Sequence, residues 1–144
     1  MMKLRWPIIG VIVAGLAFAA APVLPAQAQA KRVIRIVATS YKYEPNLIQV
    51  RQGEMVVLQL VNEDPEKRNH SVAAELFAKI PVTTRGDVFR TGVFEDRRFF
   101  AVEPGKQAEI EFVASTRGSF AFFCGISNHA ALGQVGAINV LPPQ

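Results

Sequence analysis

Two imidazoles, one thiol and one side-chain amide stand out in this sequence for what they could hold together. Cys124, the chain's only cysteine, is followed five residues later by His129 and ten later by Gln134, in the stretch FFCGISNHAALGQVGAINV (122–140). The only other histidine, His70, lies upstream in VNEDPEKRNHSV (61–72). A thiolate with two imidazoles and a weak fourth ligand suits a mononuclear copper centre for electron transfer. Taken singly, each residue has an ordinary alternative. Cysteine is often a small buried hydrophobe, a lone histidine a hydrogen-bonded loop residue, and Gln134 a strand residue facing solvent beside a three-coordinate copper. In an exported chain, a single thiol cannot form an internal disulfide, so it is an intermolecular partner, a reactive group or a metal ligand. The occurrence of every histidine and cysteine in one ordered arrangement favours the ligand.

Neighbouring residues have less to say. Asn69 and Ser71 flank His70 and are either partners that tune the ligands or a polar turn. Met55, the only methionine after residue 2, sits beside Val56 and Val57 and is read as core. Arg97 and Arg98 are read as a solvated strand edge.

The elements that must position these groups read as β almost throughout. Residues 33–39 and 47–50 are rich in β-branched and apolar side chains, and 55–61 places Val56, Leu58 and Leu60 on one face. Residues 97–102 run into the turn Glu103-Pro104-Gly105-Lys106. Alternation resumes with Ala108, Ile110 and Phe112, and strands at 119–123 and 134–141 bracket the cysteine–histidine loop. Short strands separated by Gly, Pro and Ser turns predict an all-β sandwich or barrel. Residues 75–94 break the pattern: a short helix at 75–80 is stopped by Pro81, and a polar excursion follows, held by Phe89 and Phe94.

Residues 1–30 read as a signal peptide, with a basic start at Lys3 and Arg5, an apolar run from Ile8 to Ala21, and Ala28-Gln29-Ala30 as the cleavage site. The alternative is an uncleaved membrane anchor, since residues 6–26 are near the roughly 20 needed to span a bilayer. Residues 31–144 form one domain, large enough for a hydrophobic core. Fourteen of the 16 basic residues and all 12 acidic ones lie in it, so its formal charge is only +2. With no basic run interleaved with aromatics, nucleic acid is excluded as a partner.

The motif Cys124-x4-His129-x4-Gln134, with Asn69-His70-Ser71-Val72 upstream, resembles the copper loop of the cupredoxins, the blue copper proteins. The cysteine-to-histidine spacing is that of azurin- and rusticyanin-type members. His129-Ala130-Ala131-x-Gly133 and Ser71 are similar to the rusticyanin type, which has Met where this chain has Gln134. A glutamine axial ligand is found in the stellacyanin type, which also has a disulfide that a single cysteine cannot supply. The resemblance is loose over about 33–141 and sharp at 62–72 and 120–140. It implies a Greek-key β-sandwich of about seven to eight strands and one type 1 copper ion held by His70, Cys124, His129 and Gln134.

The function expected from this is a monomeric, exported, periplasmic carrier of single electrons, not an enzyme. Its transient partners, a cytochrome or a membrane oxidoreductase, dock near a partly exposed His129 among Ala130, Ala131, Leu132 and Val135. Contact with a membrane is expected only if the leader is retained. The alternative is a copper carrier or resistance factor, disfavoured by the scarcity of Met and His. A thiol enzyme using Cys124 and His129 would need a reactive, low-pKa thiol.

Overall fold

The computed structural model describes residues 30–143. The signal peptide expected over residues 1–30 lies outside the described residues, apart from Ala30. Eleven strands and one short helix follow one another: β1 (Lys31–Thr39), β2 (Lys42–Glu44), β3 (Leu47–Arg51), β4 (Met55–Asn62), β5 (His70–Ala74), α1 (Leu76–Lys79), β6 (Val82–Gly86), β7 (Val88–Phe94), β8 (Arg97–Val102), β9 (Gln107–Val113), β10 (Gly118–Phe123) and β11 (Val135–Leu141). They make a five-stranded sheet, β2-β1-β4-β9-β6, and a six-stranded sheet, β3-β11-β10-β5-β8-β7. The all-β sandwich expected from the sequence is present.

Period-two alternation makes the core. β9 buries Ala108, Ile110 and Phe112, and the antiparallel β4 sets Leu60, Leu58 and Val56 against them in register. The second sheet answers with Val72, Ala74, Phe100, Val102, Phe122, Ile138 and Val140, all in one buried cluster. Helix α1 covers the cluster with Leu76 and Phe77, whose ring meets Phe100 and Phe112 edge-on at 5.7 and 5.6 Å. Burying a phenylalanine side chain contributes about 1.5–3 kcal/mol, so this trio is a main anchor.

Residues 75–94 differ from the expectation. The helix is there, but the polar excursion after it is two strands, and with β2 and β5 also formed the count is eleven, not seven or eight. β6 forms one edge of the first sheet on β9, and β7 an edge of the second on β8. As edge strands they leave most of their side chains exposed, so no apolar face marks them in the sequence. β8 is consequently an interior strand, and Arg97 and Arg98 are half-buried on it instead of lying at a sheet edge.

Two pairings build the site. β5 and β10 are antiparallel neighbours, with Phe123 opposite Ala73 and Phe122 opposite Ala74, which brings the start of β5 beside the end of β10. β10 and β11 pair from Phe123–Val135 onward, so residues 124–134 close one end of the sheet.

Candidate metal centre

His70 is the first residue of β5, Cys124 follows the last residue of β10, and His129 lies in the loop between β10 and β11. The loop is folded by its own backbone. The Cys124 N–H donates to Gln134 O at 3.1 Å, His129 N–H to Ile126 O at 3.1 Å, and Gln134 N–H to His129 O at 3.0 Å. Gly133 adopts φ +106° as the chain turns into β11, a conformation that favours glycine.

One ligand atom from each of His70, Cys124 and His129 lies within 4.8 Å of the others, and all three residues are buried. Cys124 Sγ is 3.5 Å from His129 Nδ1 and 3.9 Å from His70 Nδ1. Gln134, fully buried just before β11, brings its Oε1 within 2.8 Å of His70 Nδ1. Its amide nitrogen faces Lys42 O at 3.4 Å and Thr39 O at 3.5 Å, so the oxygen is turned inward. All four expected residues therefore meet. Met55 does not join them: it opens β4, whose far end, Asn62, is the part near the site. His129 is only 5% exposed and His70 is not exposed at all, so the imidazole edge expected at the surface is almost wholly covered. The Tyr41 ring, edge-on at 5.2 Å, is one of the groups against it.

Ser71 resolves one pair of readings. Its N–H donates to Cys124 Sγ at 3.3 Å, and its hydroxyl, 3.8 Å from the sulfur, accepts the Gly125 N–H at 2.8 Å. Asn69 is exposed and takes no part. Several contributors carry little signature in the sequence. Tyr43 donates its hydroxyl to Ser71 O. Asn62 Nδ2 donates to Arg68 O at 2.8 Å and Val102 O at 3.2 Å, holding the loop before His70. Asp64 Oδ2 lies 2.8 Å from His70 Nε2. The available clue was an acidic residue within the His70 loop, four residues before Arg68.

Metal donors bind deprotonated, and the electrostatics favour that form for Cys124 and His129. Burial pushes the Cys124 thiol up, but hydrogen bonding with His70 and with the Ile126 and Ser71 N–H groups outweighs it and holds the thiol below its ordinary value. Burial lowers His129, reinforced by the nearby His70 and Arg68 charges, which keeps that imidazole neutral. Burial alone would lower His70 as well, but Cys124 and Asp64 reverse the direction. No buried side-chain nitrogen or oxygen among the described residues lacks a partner. The donor set itself, soft sulfur with two imidazoles and an amide oxygen, fits copper.

The Cupredoxin-like domain family matches residues 9–136. Nothing among curated proteins matches. Among solved structures, a dithionite-reduced auracyanin from Roseiflexus castenholzii aligns with a TM-score of 0.59 and 19% identity over 76% of this chain and 97% of its own. Auracyanin A from Chloroflexus aurantiacus, described as a blue copper protein, aligns at 0.55 and 13% over 77% and 99%. A multicopper oxidase from Campylobacter jejuni aligns at 0.60 and 10%, over 83% of this chain but 31% of that longer protein. At these identities the likeness is one of fold. With a thiol and two imidazoles gathered at one end of this sandwich, the chain belongs to the cupredoxin-like family, and its cofactor is one type 1 copper ion.

Proposed function

We propose that this protein is an exported, monomeric carrier of single electrons, in which His70, Cys124 and His129 ligate the copper and Gln134 is its weak axial ligand. The observation that carries the reading is the closure of the donor set, with every donor residue buried and held by the frame. Bound copper supplies the chemistry, gaining and losing one electron. The chain's part is to keep the donors in one place through that exchange and to keep water away. β5, β10 and the 124–134 loop do the first, and the buried cluster beneath them does the second. A cavity of about 190 Å³ beside Ser71 and Gly125 is walled by Phe94, Phe99, Phe123 and Ile126, and none of the four donor residues lines it. The burial of all four donor residues favours a carrier over a catalyst with an open coordination position.

Docking is assigned to the surface over His129. Leu132 and Val135 are about half exposed there, at 50% and 47%, with Ala131 beside them. A small apolar patch suits the brief encounters of a cytochrome or membrane oxidoreductase. The alternative role, copper handling, makes a different prediction for the same protein. The test is repeated reduction by ascorbate and reoxidation by ferricyanide in the presence of a Cu(I) chelator. A shuttle retains its copper and regains its colour each cycle. Stoichiometric loss of copper to the chelator on reduction overturns the shuttle in favour of a carrier.

A further inference from the structure

Asp64 is a buried carboxylate with no place in the ligand set. Its side chain is wholly covered, and its Oδ2 accepts from His70 Nε2 at 2.8 Å. Held by that nitrogen, the ring turns Nδ1 toward Cys124 Sγ and Gln134 Oε1. Arg68 grips the same carboxylate, with Nε 2.7 Å from Oδ2 and Nη2 3.1 Å from Oδ1. The Glu66 N–H at 2.9 Å and the Ser40 hydroxyl at 3.3 Å complete its partners. Hydrogen bonding to Arg68 is the strongest of several influences that hold the Asp64 carboxyl far below the usual carboxylate range, against burial. Arg68 also donates to the Tyr41 hydroxyl at 2.9 Å, and Tyr41 is the ring packed on His129. One ion pair thus reaches both imidazoles.

We propose that Asp64 is a positioning residue that also sets the reduction potential. Its carboxylate fixes His70 with Nδ1 toward the thiol, and its negative charge, moderated by Arg68, favours Cu(II) over Cu(I). The inference rests on the copper assignment above. Carboxylate partners of metal-bound histidines raise ligand basicity, and their loss typically changes metal affinity about 10–100-fold. Asparagine keeps an oxygen acceptor for Nε2–H and removes the charge, whereas loss of Arg68 leaves the charge unmoderated. Opposite signs follow.

The experiment is voltammetry of copper-loaded wild type, Asp64→Asn and Arg68→Gln, together with ¹H–¹⁵N spectra of the diamagnetic Cu(I) protein. Asp64→Asn is expected to shift the Cu(I):Cu(II) affinity ratio toward Cu(I) by about tenfold, which is about 59 mV upward for one electron. Arg68→Gln is expected to lower the potential. The wild-type spectrum is expected to show a His70 Nε2–H protected from exchange. Unmoved potentials, shifts of the same sign in both variants, or a His70 with no proton on Nε2 overturn the proposal. If Asp64→Asn fails to fold, an unchanged or raised potential in Arg68→Gln does so alone. A wild-type protein that loads copper without thiolate colour overturns the ligand assignment itself, a result separate from these.

Discussion

At the scale of single residues, the four proposed donors divide by how firmly each is held. His70 is held at both ring nitrogens, Cys124 by N–H groups from Ser71 and Ile126, and His129 by its loop. Gln134 is the position at which chemistry can be exchanged with least disturbance, since its backbone stays tied to Cys124 and His129. An amide oxygen is a harder donor than a thioether and favours Cu(II). Gln134→Met should therefore raise the reduction potential, and Gln134→Leu, which removes the axial donor, should raise it at least as far. All three proteins should keep their colour, because the other ligands are untouched. Voltammetry at one pH checks this; equal potentials would mean that Gln134 does not touch copper. The thiol and the imidazoles were legible from the sequence because residues 31–144 hold one cysteine and two histidines. Gln134 is one of six glutamines there and stood out only by its place in the cupredoxin-like loop. Asp64 was not legible, because one carboxylate among 12 acidic residues carries no mark of burial.

At the scale of elements, the β5–β10–β11 arrangement is what turns distant residues into one site. β11 packs closely where it passes β10. A Cβ added at Gly136 would overlap the Phe122 ring and the Asn46 carbonyl oxygen, and backbone cannot move aside cheaply. Gly136→Ala should cost about 1–3 kcal/mol or more, read as a lower midpoint in thermal unfolding of the copper-free protein. An unchanged midpoint would mean that this approach is looser than described. Interior strands with a clear period were readable in advance: β9 alternates as written, with Ala108, Ile110 and Phe112 buried. β5 was not, since all five of its residues are buried and no alternation shows. β6 and β7 were not, since Thr83, Thr84 and Arg85 pair by backbone while leaving their side chains exposed. The three-residue β2 is too short for any period to show, although its Tyr43 is buried against the site.

At the scale of the whole molecule, the core and the metal site are neighbours with separate supports. The buried cluster runs through both sheets and includes Cys124 alone of the donors. The sandwich should consequently stay folded when copper is removed, with its β circular-dichroism signature intact. Copper should still raise the midpoint, by about 2.7 kcal/mol of added stability when free metal is 100 times Kd. Collapse of the fold on chelation would contradict this. The proposed export makes a second prediction at this scale: N-terminal sequencing of the protein from a producing cell should begin at or near Lys31. An intact Met1 in the membrane fraction would establish an anchor, with the same domain tethered to it.

Visible absorption of the copper-loaded protein and of Cys124→Ser decides whether Cys124 is a copper-bound thiolate between two imidazoles. Thiolate-to-Cu(II) charge transfer should colour the wild type strongly, blue to green, and the colour should vanish on reduction. Serine's oxygen is neither soft nor readily ionised, so the variant should be colourless even with Cu(II) bound. Strong colour that persists in Cys124→Ser would contradict the assignment.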